Sequence, residues 1–111
     1  MQVKVHMLAF YEEGDKIRLV DVPDNEVEGC ATSDKALAIQ DVLELVFKYG
    51  QNMFQPQQIC SVSVGDVVEL EGRYFLVRGC GFGELSEDEL LRAKSMDRRE
   101  RQIWVLEGYT R

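Results

Sequence analysis

The sequence predicts an α+β domain with a mainly antiparallel sheet, and three observations carry that prediction. Apolar residues alternate over short runs near the start and middle of the chain. One longer segment repeats its apolar residues with helical period. The extended runs come in pairs joined by glycine-containing turns, instead of alternating singly with helices as a parallel α/β fold requires. The expected order is β-β-α-β-β-β-α-β, in one domain spanning residues 1–111. Gly65, Gly72, Gly79, Gly81 and Gly83 fall near strand ends, so a sheet curled into a small open barrel is a second form of the same prediction.

The first strand follows from Val3, Val5, Met7 and Ala9 alternating with Lys4 and His6. Glu12 to Asp15 supplies a turn, with Gly14 tolerating positive φ, and residues 16–22 return as the second strand. Pro23, Asp24 and Asn25 end it, and an acidic loop is expected through Gly29. Thr32, Ser33 and Asp34 can cap a helix, whose apolar face is Ile39, Val42, Leu43, Val46 and Phe47 and whose stop is Gly50. After a loop, residues 59–64 read as extended; residues 67–70 and 73–78 then flank Glu71-Gly72, a two-residue hairpin connection. Ser86 with Glu89 three residues on is a capping-box pattern opening a helix over 87–96. Ile103, Trp104, Val105 and Leu106 read as a last buried strand over 102–107.

Charge narrows the functional classes. The 111-residue chain carries a formal net charge of −7. Between Glu12 and Glu44 stand ten acids against Lys16, Arg18 and Lys35, so this third of the chain holds a net charge equal to the total. Such a field repels nucleic-acid phosphates and anionic membranes and attracts basic protein surfaces. No window approaches the ~20 consecutive apolar residues of a membrane span, and the first residues lack the pattern of a secretory signal, so a cytoplasmic address is expected.

Chemistry-bearing patterns are sparse. Cys30, Cys60 and Cys80 are odd in number and widely spaced, and His6 is the sole histidine, which argues against a disulfide framework or a zinc site. Gly79-Cys80-Gly81-Phe82-Gly83 precedes a helix but matches no phosphate-binding pattern, and Glu87, Asp88 and Glu89 occupy the turn where a phosphate would sit. Those three acids fan out as consecutive helical residues and suit a helix start; Asp66 and Glu69 read as turn and surface residues. The serines lack a base and a nucleophile elbow. No catalytic residue, metal or cofactor is therefore assigned, and a non-enzymatic binder is expected.

Residues 49–58, YGQNMFQPQQ, form the best candidate site. Gln51, Asn52, Gln55 and Gln57 can each donate and accept, Phe54 supplies an apolar anchor, and Pro56 stiffens the exit. Recognition of peptide edges or bases is one reading, and a connection that covers the core is the other. Arg98, Arg99 and Arg101 break the acidic trend; helix-end charge pairing explains them, while phosphate contact aided by Phe54 or Trp104 is the alternative. A small-molecule pocket at the loop and glycine bends is a third option, and a strand edge leaves homodimerisation open.

The strings YGQNMFQP, SVSVGDVVEL and FLVRGCGF, in that order within residues 43–82, resemble a group of small proteins of uncharacterised activity encoded on bacterial phages, plasmids and other mobile elements. The resemblance implies a bacterial setting and an accessory or host-interaction role, and no catalytic residues. Together with the charge, it points to binding of a protein partner through an acidic surface and the amide-rich loop.

Overall fold

The computed structural model describes residues 1–9, 14, 16–30, 35–51, 62–78 and 81–106. Its elements are β1 (Gln2–His6), β2 (Ile17–Asp21), α1 (Asp24–Glu28), α2 (Lys35–Tyr49), β3 (Val67–Leu70), β4 (Arg73–Val77), β5 (Phe82–Leu85), α3 (Glu87–Ser95) and α4 (Arg98–Leu106). The strands form one sheet in the order β2-β1-β3-β4-β5, with every neighbouring pair antiparallel. The α+β class and the antiparallel sheet are as expected. The barrel form is not: β2 and β5 end the sheet without pairing to each other, so it stays open.

Alternation along the strands sends apolar residues to both faces. Val3, Val5, Val20, Val68, Phe75 and Val77 meet Ile39, Val42, Leu43 and Val46 of α2. On the opposite face Leu8, Val67, Leu76 and Leu85 meet Leu90, Ala93 and Trp104 of α3 and α4. Each large side chain removed from water contributes on the order of 1.5–3 kcal/mol. Two opposed layers of helix thus fix the sheet between them.

Local chemistry sets several element ends. Glu71 (φ 54°) and Gly72 (φ 73°) both take left-handed conformations, which gives the β3–β4 connection the backbone twist of a two-residue hairpin turn. At α3 the capping box is complete: Ser86 Oγ accepts from Glu89 N–H at 3.2 Å, and Glu89 Oε1 accepts from Ser86 N–H at 2.9 Å.

Four expectations need correction. The expected strand over 102–107 lies largely within α4, which starts where Asp97 Oδ1 accepts the Glu100 N–H at 2.8 Å. Arg101 and Trp104 turn inward while Gln102 and Ile103 stay exposed, a helical period. The acidic loop after Pro23 contains α1, because the Pro23 carbonyl accepts the N–H groups of Glu26 and Val27. The glycine bend ends in a strand, since 82–85 adds to the β4 edge as β5. Of the expected strand over 59–64, residues 59–61 lie outside the described residues; Val62 to Val64 lead into a turn in which Asp66 N–H donates to the Ser63 carbonyl at 3.0 Å. The observed order is accordingly β-β-α-α-β-β-β-α-α.

Candidate functional site

Pro23 turns the chain out of β2, and α1 then lies along α2, with Val27 and Cys30 packed against the α2 core. Positions 41, 44, 45 and 48 of α2 share one helical face, spaced three, four and seven residues apart. Between the two helices runs a groove of about 420 Å³ lined by Glu26, Gly29, Cys30, Asp41, Glu44, Leu45 and Lys48. Three carboxylates thus meet one ammonium along its described lining. Lys48 Nζ stands 3.8 Å from Glu26 Oε1 and 5.2 Å from the centre of the Tyr49 ring. Burial, followed by the charges of Asp41 and Glu26, pushes the Cys30 thiol up from its ordinary value, and Sγ donates to the Glu26 carbonyl at 3.6 Å. A protonated thiol among carboxylates is a poor nucleophile. Among the described residues no three His, Cys, Asp or Glu side chains converge as metal ligands would.

The amide-rich loop is reached only at its first member. Gln51 Nε2 donates to the Phe47 carbonyl at 2.8 Å and to the Val62 carbonyl at 3.1 Å. Beside it the Gly50 carbonyl accepts from Val62 N–H at 3.1 Å and from Arg18 Nη1 at 2.8 Å. Gln51 therefore fastens the end of α2 to the segment that leads into β3. Asn52, Phe54, Gln55, Pro56 and Gln57 lie outside the described residues, as does Cys80.

Among the described residues Asp66 is the carboxylate whose setting departs furthest from a surface one. It is 1% exposed; Oδ1 accepts the Ala9 N–H at 2.8 Å and Oδ2 the Ser63 N–H at 2.9 Å. Burial pushes its carboxyl up to about 6, against the opposing pull of the Ala9, Ser63 and Leu8 N–H groups and of Arg18. The turn position was legible in Gly65-Asp66; the burial was not. Ala9 and Gly65 also line a largely apolar hollow of about 300 Å³, closed by Leu8, Val64, Arg101, Gln102 and Val105. Both Asp66 oxygens are occupied by backbone donors, so the group acts as a clamp between the end of β1 and the start of β3.

His6 is structural as well. Its Nε2 lies 3.0 Å from Glu69 Oε1, and its ring meets Tyr74 edge-on at 6.1 Å between centroids. Burial lowers its pKa despite the Glu69 hydrogen bond, which keeps the imidazole neutral at neutral pH. Glu69 also stands 3.8 Å from Lys4 Nζ. In the basic stretch, Arg101 is 3% exposed and Trp104 5%, so neither is presented to a phosphate or a base; Arg98 is half-buried and Arg99 exposed. Among the described residues no helix is long and apolar enough to cross a membrane. No family model, no curated protein and no solved structure matches this chain.

Proposed function

We propose that this chain is a non-enzymatic binding protein whose acidic helical side takes a basic segment of a protein partner. The observation that carries the reading is the meeting of Glu26, Asp41 and Glu44 along one groove between α1 and α2, with Lys48 as the sole cation in its described lining. Carboxylates lining a concave surface concentrate negative potential and favour lysine- or arginine-rich ligands. Leu45 adds an apolar contact within the same groove. The loop containing Gln51, Asn52, Phe54, Gln55, Pro56 and Gln57 enters the proposal as a second contact, and the resemblance of residues 43–82 to mobile-element proteins supplies a bacterial accessory setting.

The test is fluorescence anisotropy of a labelled Lys/Leu-rich peptide at rising ionic strength. Binding that weakens with salt and drops at least about tenfold in Glu26→Gln/Asp41→Asn/Glu44→Gln supports the groove. Equal loss from neutralising Glu71, Glu87 and Asp88 on other elements overturns it, because net charge alone would then explain capture.

A second reading rests on the hollow beside Ala9 and Gly65, whose size of about 300 Å³ reaches the lower range of small-molecule sites. A compound that raises the melting temperature of the native chain, and not of Val105→Trp, would favour it.

A further inference from the structure

We propose that the outer edge of β2 is a self-complementary interface through which two copies of this chain pair, with Leu19 facing Leu19 across a two-fold axis. The ladder fixes which backbone groups that edge offers. Met7 N–H donates to the Lys16 carbonyl and Val22 N–H to the Met1 carbonyl, both at 2.8 Å. In an antiparallel ladder the bonded pairs recur every second residue, so Lys16, Arg18, Val20 and Val22 turn their backbone groups toward β1. Ile17, Leu19 and Asp21 turn theirs outward, where they meet no partner among the described residues.

The same three residues carry their side chains on the face opposite α2. Ile17 is 49% and Leu19 53% exposed, two apolar side chains in succession beside open hydrogen-bonding groups. An exposed edge of this composition is a template for another strand. The occupant that fits is a second β2 running antiparallel.

Register follows from the pairing rule. With Leu19 opposite Leu19, Ile17 faces Asp21 of the second copy at both ends, and all three outward residues form hydrogen-bonded pairs. Shifting the centre to Arg18 keeps two such pairs and sets guanidinium against guanidinium; shifting it to Val20 also keeps two. The Leu19-centred register therefore has the most hydrogen bonds and gathers two Ile17 and two Leu19 side chains into one strip. Pro23, which has no N–H, stops the strand from running further. The other edge left open among the described residues is a poorer template: β5 has four residues, and its outward pair includes Glu84, held by Arg73 at 2.6 Å.

The side chains at this edge lie on the sheet face away from α1 and α2 and include no residue of the acidic groove, so the two proposals can be tested separately. The salt response separates them as well. Two copies of net charge −7 repel, so pairing strengthens with ionic strength, whereas groove binding of a basic peptide weakens.

Sedimentation equilibrium of the full chain at high ionic strength tests the proposal together with cysteine cross-linking. A reversible dimer is expected, and Leu19→Lys, which sets ammonium groups opposite each other, should raise its dissociation constant at least about tenfold while the melting temperature and circular dichroism stay native. Under mild oxidation Leu19→Cys should cross-link to itself, and Ile17→Cys should cross-link to Asp21→Cys but not to itself, against the background of the wild-type cysteines. A chain that stays monomeric at millimolar concentration, a dimer unmoved by Leu19→Lys, or equal cross-linking at all three positions would overturn it.

Discussion

Replacing Asp66 with alanine would leave the buried Ala9 N–H and the part-buried Ser63 N–H without their acceptor. A donor that water cannot reach costs about 1–3 kcal/mol, so the clamp contributes about 1–3 kcal/mol through Ala9, with a smaller addition from Ser63, before its own desolvation is counted. That desolvation has a definite sign. The folded-state pKa stands near 6 against an ordinary 3.8, so Asp66 stabilises fully below the ordinary value, and the contribution is lost as pH rises through about 6. The shift is worth at most about 3 kcal/mol. Urea unfolding read through the buried Trp104 would measure both effects at a series of pH values. Asp66→Ala should lose the most at the acid end of that window, and its deficit should shrink by up to about 3 kcal/mol toward neutrality. Asp66→Asn keeps one acceptor and turns an NH2 group toward the other donor, so it should also destabilise, by about 1–3 kcal/mol, and show the same narrowing. A change below about 0.5 kcal/mol for Asp66→Ala, or a deficit that stays constant with pH, would refute the clamp and the burial argument respectively.

Ser86→Ala removes the acceptor of the Glu89 N–H and should cost about 0.5–2 kcal/mol in chemical denaturation, with Ser86→Gly closer to wild type. Gly50→Ala sets a methyl group into Val62 Cγ2 and 2.9 Å from the Val46 carbonyl oxygen. It should cost about 1–3 kcal/mol by thermal melting and speed hydrogen exchange at Val62, whose N–H bonds the Gly50 carbonyl.

The elements readable in advance were those whose signal is local. The α2 face of Ile39, Val42, Leu43 and Val46, the Glu71-Gly72 hairpin and the Ser86–Glu89 box each rest on neighbours within a few positions. The misread 102–107 segment shows the converse: four consecutive apolar residues fit a strand or a buried helix equally, and the decision lay upstream in Asp97 and Glu100. α1 was hidden because its acidic residues read as loop, although Pro23 is a common neighbour of a helix start. The groove of Glu26, Asp41 and Glu44 depends on how α1 lies against α2, which no periodicity encodes. Gln51 reads as a recognition residue by composition; its bond to Val62 depends on the chain returning beside α2.

The place of β1 between β2 and β3 carries a consequence for how the chain acquires its shape. β1 joins β2 within the first 21 residues, and β3, β4 and β5 follow one another as a meander, yet Lys4 must find Glu69 before the two parts become one sheet. On a ribosome the N-terminal hairpin and α2 emerge well ahead of the strand that covers their inner edge. Closing that long loop is the step with the largest entropic cost, so the slow event in folding should be the annealing of β1 to β3.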